Sequence, residues 1–161
     1  HHHPGQIASL ATLLIWPLLL PFYYSRQNWK NPHPRWQRAL FFWFGILVIN
    51  GVISFLPGIL DHLKFSDALV AHSHLAMTGF TTSFLIFILQ QILPPSRSAT
   101  FNHHPSFLSW HLATAGYICL MLASGILDTS ADLHSLLYAL RSLCGLILTL
   151  VSIHWWRGLN S

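Results

Sequence analysis

The chain has 161 residues, of which 53% are apolar and only 7% charged. Soluble domains carry about 25% charged residues, so an ordinary water-soluble domain is excluded. The formal net charge is +4, but the basic residues are scattered, which excludes a nucleic-acid footprint. Glu is absent, so paired-carboxylate catalysis would have to draw on Asp61, Asp67, Asp128 and Asp132.

In chain order, His1–His3 read as a tag remnant rather than a copper-gripping amino terminus. Five runs then reach the roughly 20 residues that a bilayer crossing needs. They are Ile7–Tyr24, Trp36–Leu56, Ala68–Leu93, Phe107–Leu127 and Leu133–Trp156. Short connectors rich in Pro, Asn and Asp separate them, and Asp67 and Asp132 are placed to cap the third and fifth helices. Residues 1–161 therefore read as one integral membrane domain, an all-α bundle of about five transmembrane helices. Cys119 and Cys144 lie within apolar runs and read as buried free thiols.

The charges are asymmetric. Arg26, Lys30, Arg35, Arg38, Arg97 and Arg157 fall on one side of these runs. All four Asp residues fall on the other, accompanied by Lys64. The positive-inside rule makes the basic side cytoplasmic, with the N-terminus outside and the C-terminus inside, as in a bacterial inner membrane. Tyr23, Tyr24, Trp29, Trp36, Trp155 and Trp156 cluster at run ends, as interfacial belts do.

Two features do not belong in plain lipid. His72 and His74 enter the third helix near its outer end, and two positions turn a helix by about 200°, so they serve opposite flanks. Ionisable side chains in a membrane are functional candidates by default, and Ala76, Thr78 and Gly79 leave room beside the helix for a flat macrocycle. Heme iron takes axial His; chlorophyll magnesium does as well. Arg141, about eight residues into the fifth helix, is at a depth matching His74 to within a turn. It needs an anion that no internal acid supplies. A heme propionate is one partner; outward reach to Asp128 or Asp132 is the other. Met121 lies at the same depth as a possible sixth ligand, against the plainer reading of core packing.

The other histidines are weaker candidates. His111 and His154 near the cytoplasmic end are not expected to share a metal. His33, His103 and His104 read as solvated loop residues. His62 and His134 are placed at the outer surface.

The stretch AHSHLAMTGFTTSFLIFILQQI, Ala71–Ile92, resembles the helix of the heme-copper oxidase catalytic subunit, subunit I, that carries an HxH pair. HPSFLSWHLATAGYICLMLASGILD, from His104 to Asp128, is similar to the next helix of that family. The likeness is close over Asp67–Leu93 and loose over Trp36–Arg141. It implies that His72 faces a high-spin heme and His74 a low-spin one, and that Arg141 is similar to the propionate-binding arginines. The family's transmembrane His-His pair, which helps to hold copper, has no counterpart, because His103 and His104 lie in a loop. The helix that supplies the second low-spin ligand has no counterpart either. Oxygen reduction by this chain alone is therefore not expected.

The resemblance implies a subunit that binds one or two hemes b and carries electrons beside other membrane subunits or a second copy, with no nucleic acid as partner. A (bacterio)chlorophyll-binding accessory subunit is the alternative. A cofactor-free assembly or scaffold subunit, whose polar residues join helices, is the third reading.

Overall fold

The computed structural model describes residues 4–28, 34–56, 58–127 and 130–160. His1–His3, Trp29, Lys30, His33 and Asp128 lie outside them. The described residues are helical, with no strand among them: α1 (Pro4–Thr12), a 3-10 turn (Leu13–Ile15), α2 (Trp16–Ser25), α3 (Pro34–Ser54), α4 (Ile59–Leu63), α5 (Asp67–His74), a π-helical segment (Leu75–Thr81), α6 (Thr82–Ile92), α7 (Pro95–Ser98), a second 3-10 turn (Ala99–Asn102), α8 (His104–Ile126) and α9 (Ala131–Asn160).

Four helices are long and apolar enough to cross a membrane: Arg35–Ser54, Asp67–Ile92, His104–Ile126 and Ala131–Asn160. These mark a membrane protein. The run expected at Ile7–Tyr24 is helical but broken, its longer apolar part being Leu13–Ser25. The cause is local. Pro17 cannot donate to the carbonyl of Leu13, nor Pro21 to that of Pro17, and the 3-10 turn stands where the first of these bonds is missing.

Helix starts also differ in detail from the sequence reading. Ser66, not Asp67, is at the N-cap of α5. At α9, the Ser130 hydroxyl accepts the Leu133 N–H at 3.4 Å, so Ser130 rather than Asp132 caps the helix. Both carboxylates sit inside the first turn, where they favour the helix dipole.

The helices meet by two devices. Near the acidic end, α8 lies on α5 through small residues: Ala68 and Ala71 are buried, and a Cβ at Gly125 would collide with the Ala68 backbone. Small side chains let helix backbones approach closely where no hydrophobic force separates helix from lipid. At the basic end the joint is aromatic. Trp36 is fully buried and donates its indole N–H to the Phe101 carbonyl at 2.9 Å. Its ring lies 5.6 Å from that of Trp155, which in turn lies 4.9 Å from Trp110. Trp36 and Trp155 are therefore core residues, not interfacial belts. The 3-10 turn Ala99–Asn102 folds over this end and covers them. Tyr23 and Trp156 are exposed, as belts should be.

The π segment begins directly after His74. Such segments widen a helix and leave carbonyls without their usual i+4 donors. Side chains supply donors here: Thr78 Oγ1 to His74 O at 2.7 Å, Thr82 Oγ1 to Met77 O at 3.0 Å, and Trp110 Nε1 to Thr78 O at 3.1 Å. The space beside Gly79 is taken by the Trp43 ring, 2.9 Å from where a Cβ would stand. That space serves helix packing, and a macrocycle there is excluded.

Candidate functional site

His74, Met121 and Arg141 line one cavity of about 460 Å³ between α5, α8 and α9, together with Asp67, Tyr117 and Tyr138. His74 comes from the last turn of α5. Its Nδ1 lies 3.0 Å from the carbonyl oxygen of Val70. A carbonyl only accepts, so Nδ1 carries the proton and Nε2 keeps its lone pair. Metal-ligating imidazoles are commonly held in this way, the second nitrogen donating to a backbone carbonyl. The Tyr117 ring sits 4.9 Å from the imidazole, tilted by 36°. Met121 is buried among Ala71, Leu75 and Ile118, so it packs the core and lines the cavity at once.

His72 is not brought to this cavity. Its Nδ1 lies 2.8 Å from Asn50 Oδ1 on α3, and its ring makes an edge contact with Phe55. A Cβ on Gly51 would come within 3.2 Å of its Cε1 and 3.9 Å of its Nε2, so that edge of the ring is pressed against α3. The two imidazoles do serve opposite flanks, as the 200° offset requires. One flank is a helix contact and the other a cavity.

Arg141 has an acid within reach. Its Nη1 donates to Asp67 Oδ2 at 2.7 Å, and the Ser124 hydroxyl donates to the same oxygen at 2.7 Å. Neither Asp132 nor a propionate is needed to compensate the charge. The guanidinium also lies over the Tyr138 ring, 3.9 Å from its centroid, a cation–π contact. Nε and Nη2 remain buried without a partner, which is costly unless something bonds them. Arg141 does not share the depth of His74. Arg141 is level with Asp67, seven residues above His74, or about 10 Å at 1.5 Å per residue.

The sequence marks Asp67 as a cap and does not place it beside Arg141. The one available signal was arithmetic: a buried Arg in a chain with four acids must be near one of them. Removing Asp67 should be severe, because an unpaired buried charge costs about 3–5 kcal/mol. Asp67→Ala is expected to lower the thermal midpoint in detergent markedly, and adding Arg141→Leu should recover most of the loss. Equal midpoints for the single variant and the parent would refute the pairing.

Four further histidines are engaged elsewhere. His111 accepts the Trp43 indole N–H on Nδ1 at 2.9 Å and packs on Phe107. The His154 ring lies 5.0 Å from that of His103, tilted by 39°, and His103 Nδ1 lies 2.8 Å from Ser106 Oγ. His134 contacts Tyr138. Cys119 is exposed and Cys144 half-buried, both free thiols, so neither is the buried thiol expected.

Among the described residues no three His, Cys, Asp or Glu side chains are grouped to hold a bare metal ion. A single free imidazole nitrogen at a cavity instead suits a metal that brings its own equatorial ligands. No protein-family model, curated protein or solved structure matches the chain.

Proposed function

We propose that the protein is an integral membrane subunit that binds heme b at the His74 cavity and carries electrons within a larger redox complex. One observation carries the reading. His74 with a free Nε2, the Met121 thioether and Arg141, two of whose nitrogens are buried without a partner, line one cavity. His74 Nε2 would ligate the iron. Arg141 would take a propionate, while Asp67 holds the guanidinium in place. Met121 would supply a further ligand or an apolar wall. The heme, when bound, supplies reversible one-electron transfer; the chain supplies ligation, orientation and a dry surrounding. The likeness of Ala71–Ile92 to the HxH helix of heme-copper oxidases supports this site. On the same likeness His72 would bind a second heme, but its tight packing on α3 favours a single heme, at His74.

A cofactor-free scaffold is the second reading, favoured by the Asp67–Arg141 pair and the His72–Asn50 bond, which join helices with no ligand. A reduced-minus-oxidised spectrum of protein purified from its native membrane separates the two. A Soret band and reducible iron support heme; their absence leaves the scaffold.

The placement proposed is the bacterial inner membrane with five crossings. Pro4–Ser25 gives 22 residues, about 33 Å at 1.5 Å per residue, enough for a bilayer core of about 30 Å. The basic end would be cytoplasmic. In a variant free of other cysteines, a cysteine at His104 should react with an impermeant maleimide only from the cytoplasmic face, and one at Lys64 only from the outer face. Labelling of both from one face refutes this topology.

A further inference from the structure

A second and larger cavity, about 650 Å³, runs between α3 and α8 on the flank away from His74. Its walls are almost wholly apolar, among them Phe42, Ile46, Leu112 and Ile118. At its mouth stand Arg35 and Arg38, three residues apart and so on one face of α3. Both are exposed, and neither has a hydrogen-bond or ion-pair partner among the described residues. Apolar walls with two free cations at one end define an amphipathic, anionic occupant.

Dimensions narrow the choice. From Arg35 to Ile46 is about 16 Å along α3, half of a hydrocarbon core of about 30 Å and so the depth of one leaflet. An extended acyl chain matches that length, and two free cations at one end of an apolar trough suit a charged headgroup better than an apolar partner helix. A soluble anion would leave the apolar trough unused. His111 lines the same wall. Because its Nδ1 accepts the Trp43 N–H, its proton is on Nε2, which has no partner.

We propose that this groove is a binding site for one anionic phospholipid. Its phosphate rests on Arg35 and Arg38, and an acyl chain lies along α3 and α8. The other basic residues of this end, Arg97 and Arg157, add to the attraction for an anionic surface. This inference does not depend on heme binding at His74.

The test uses the purified chain in vesicles of equal parts phosphatidylcholine and phosphatidylglycerol, followed by gentle detergent extraction and native mass spectrometry. Retention of phosphatidylglycerol severalfold over phosphatidylcholine is expected, and Arg35→Gln with Arg38→Gln should abolish the preference. Cys119 lines the groove and is exposed, so it reports occupancy independently. In a Cys144→Ala background its alkylation should be slower with phosphatidylglycerol than with phosphatidylcholine alone. Equal retention of the two lipids, a preference that survives the double substitution, or a quinone or porphyrin recovered in place of lipid would overturn the proposal. Circular dichroism of the double variant, whose changed residues are exposed, checks that the fold is kept.

Discussion

His74→Ala should lose the heme spectrum while His72→Ala keeps it. The two residues are chemically identical and two positions apart, so composition and helix depth predict equal effects. Their surroundings do not. His74 Nε2 is free at a cavity, with Nδ1 fixed by the Val70 carbonyl. His72 is bonded to Asn50, with its ring edge against Gly51. Removing an axial ligand leaves only hydrophobic contact and a propionate bond to hold the macrocycle, and a porphyrin so held is expected to leave in detergent. Removing His72 leaves the Asn50 amide without its partner, a cost of about 1–3 kcal/mol in stability, but does not touch the cavity. Imidazole added to His74→Gly should restore part of the absorbance, which a merely structural role would not allow. If His72→Ala bleaches the protein and His74→Ala does not, the assignment is reversed and the His74 cavity holds nothing.

The long apolar helices were legible because length and hydropathy decide them before any tertiary contact is made. The break in the first run was legible in principle, since Pro17 and Pro21 stand four residues apart and each removes one helix bond. The π segment was not. One of its carbonyls, that of Thr78, is bonded by Trp110 of α8, and no local pattern encodes a donor 32 residues away. The burial of Trp36 and Trp155 is hidden from the sequence for a related reason. Aromatic residues at run ends favour interfaces, but the turn after α7 closes over that end and buries both. The HxH offset gave the two flanks correctly because it is pure helix geometry. What each flank holds depends on α3 and α8, whose packing the offset does not contain.

The Asp67–Arg141 pair was the hardest feature to read. The two residues are 74 positions apart, and Asp67 at the head of an apolar helix carries every local sign of a cap. Its consequence for the proposed heme is a pair of opposed redox shifts. A positive charge stabilises the reduced, less positive iron site, so Arg141→Leu is expected to lower the midpoint potential and Asp67→Asn to raise it. At an effective dielectric of about 20 and a separation of about 10 Å, one charge contributes roughly 2 kcal/mol. One elementary charge is worth about 2.3 kcal/mol per 100 mV, so each single variant should move the midpoint by somewhat under 100 mV. The charged atoms of the pair are only 2.7 Å apart, so at the iron their fields largely cancel. Removing both should therefore shift the midpoint far less than removing either. Redox titration of the two single variants and the double variant reads all three values. The signs carry the argument. An Arg141→Leu protein whose midpoint stays put or rises would show that the guanidinium does not face the heme, and Asp67 would then be a structural partner only.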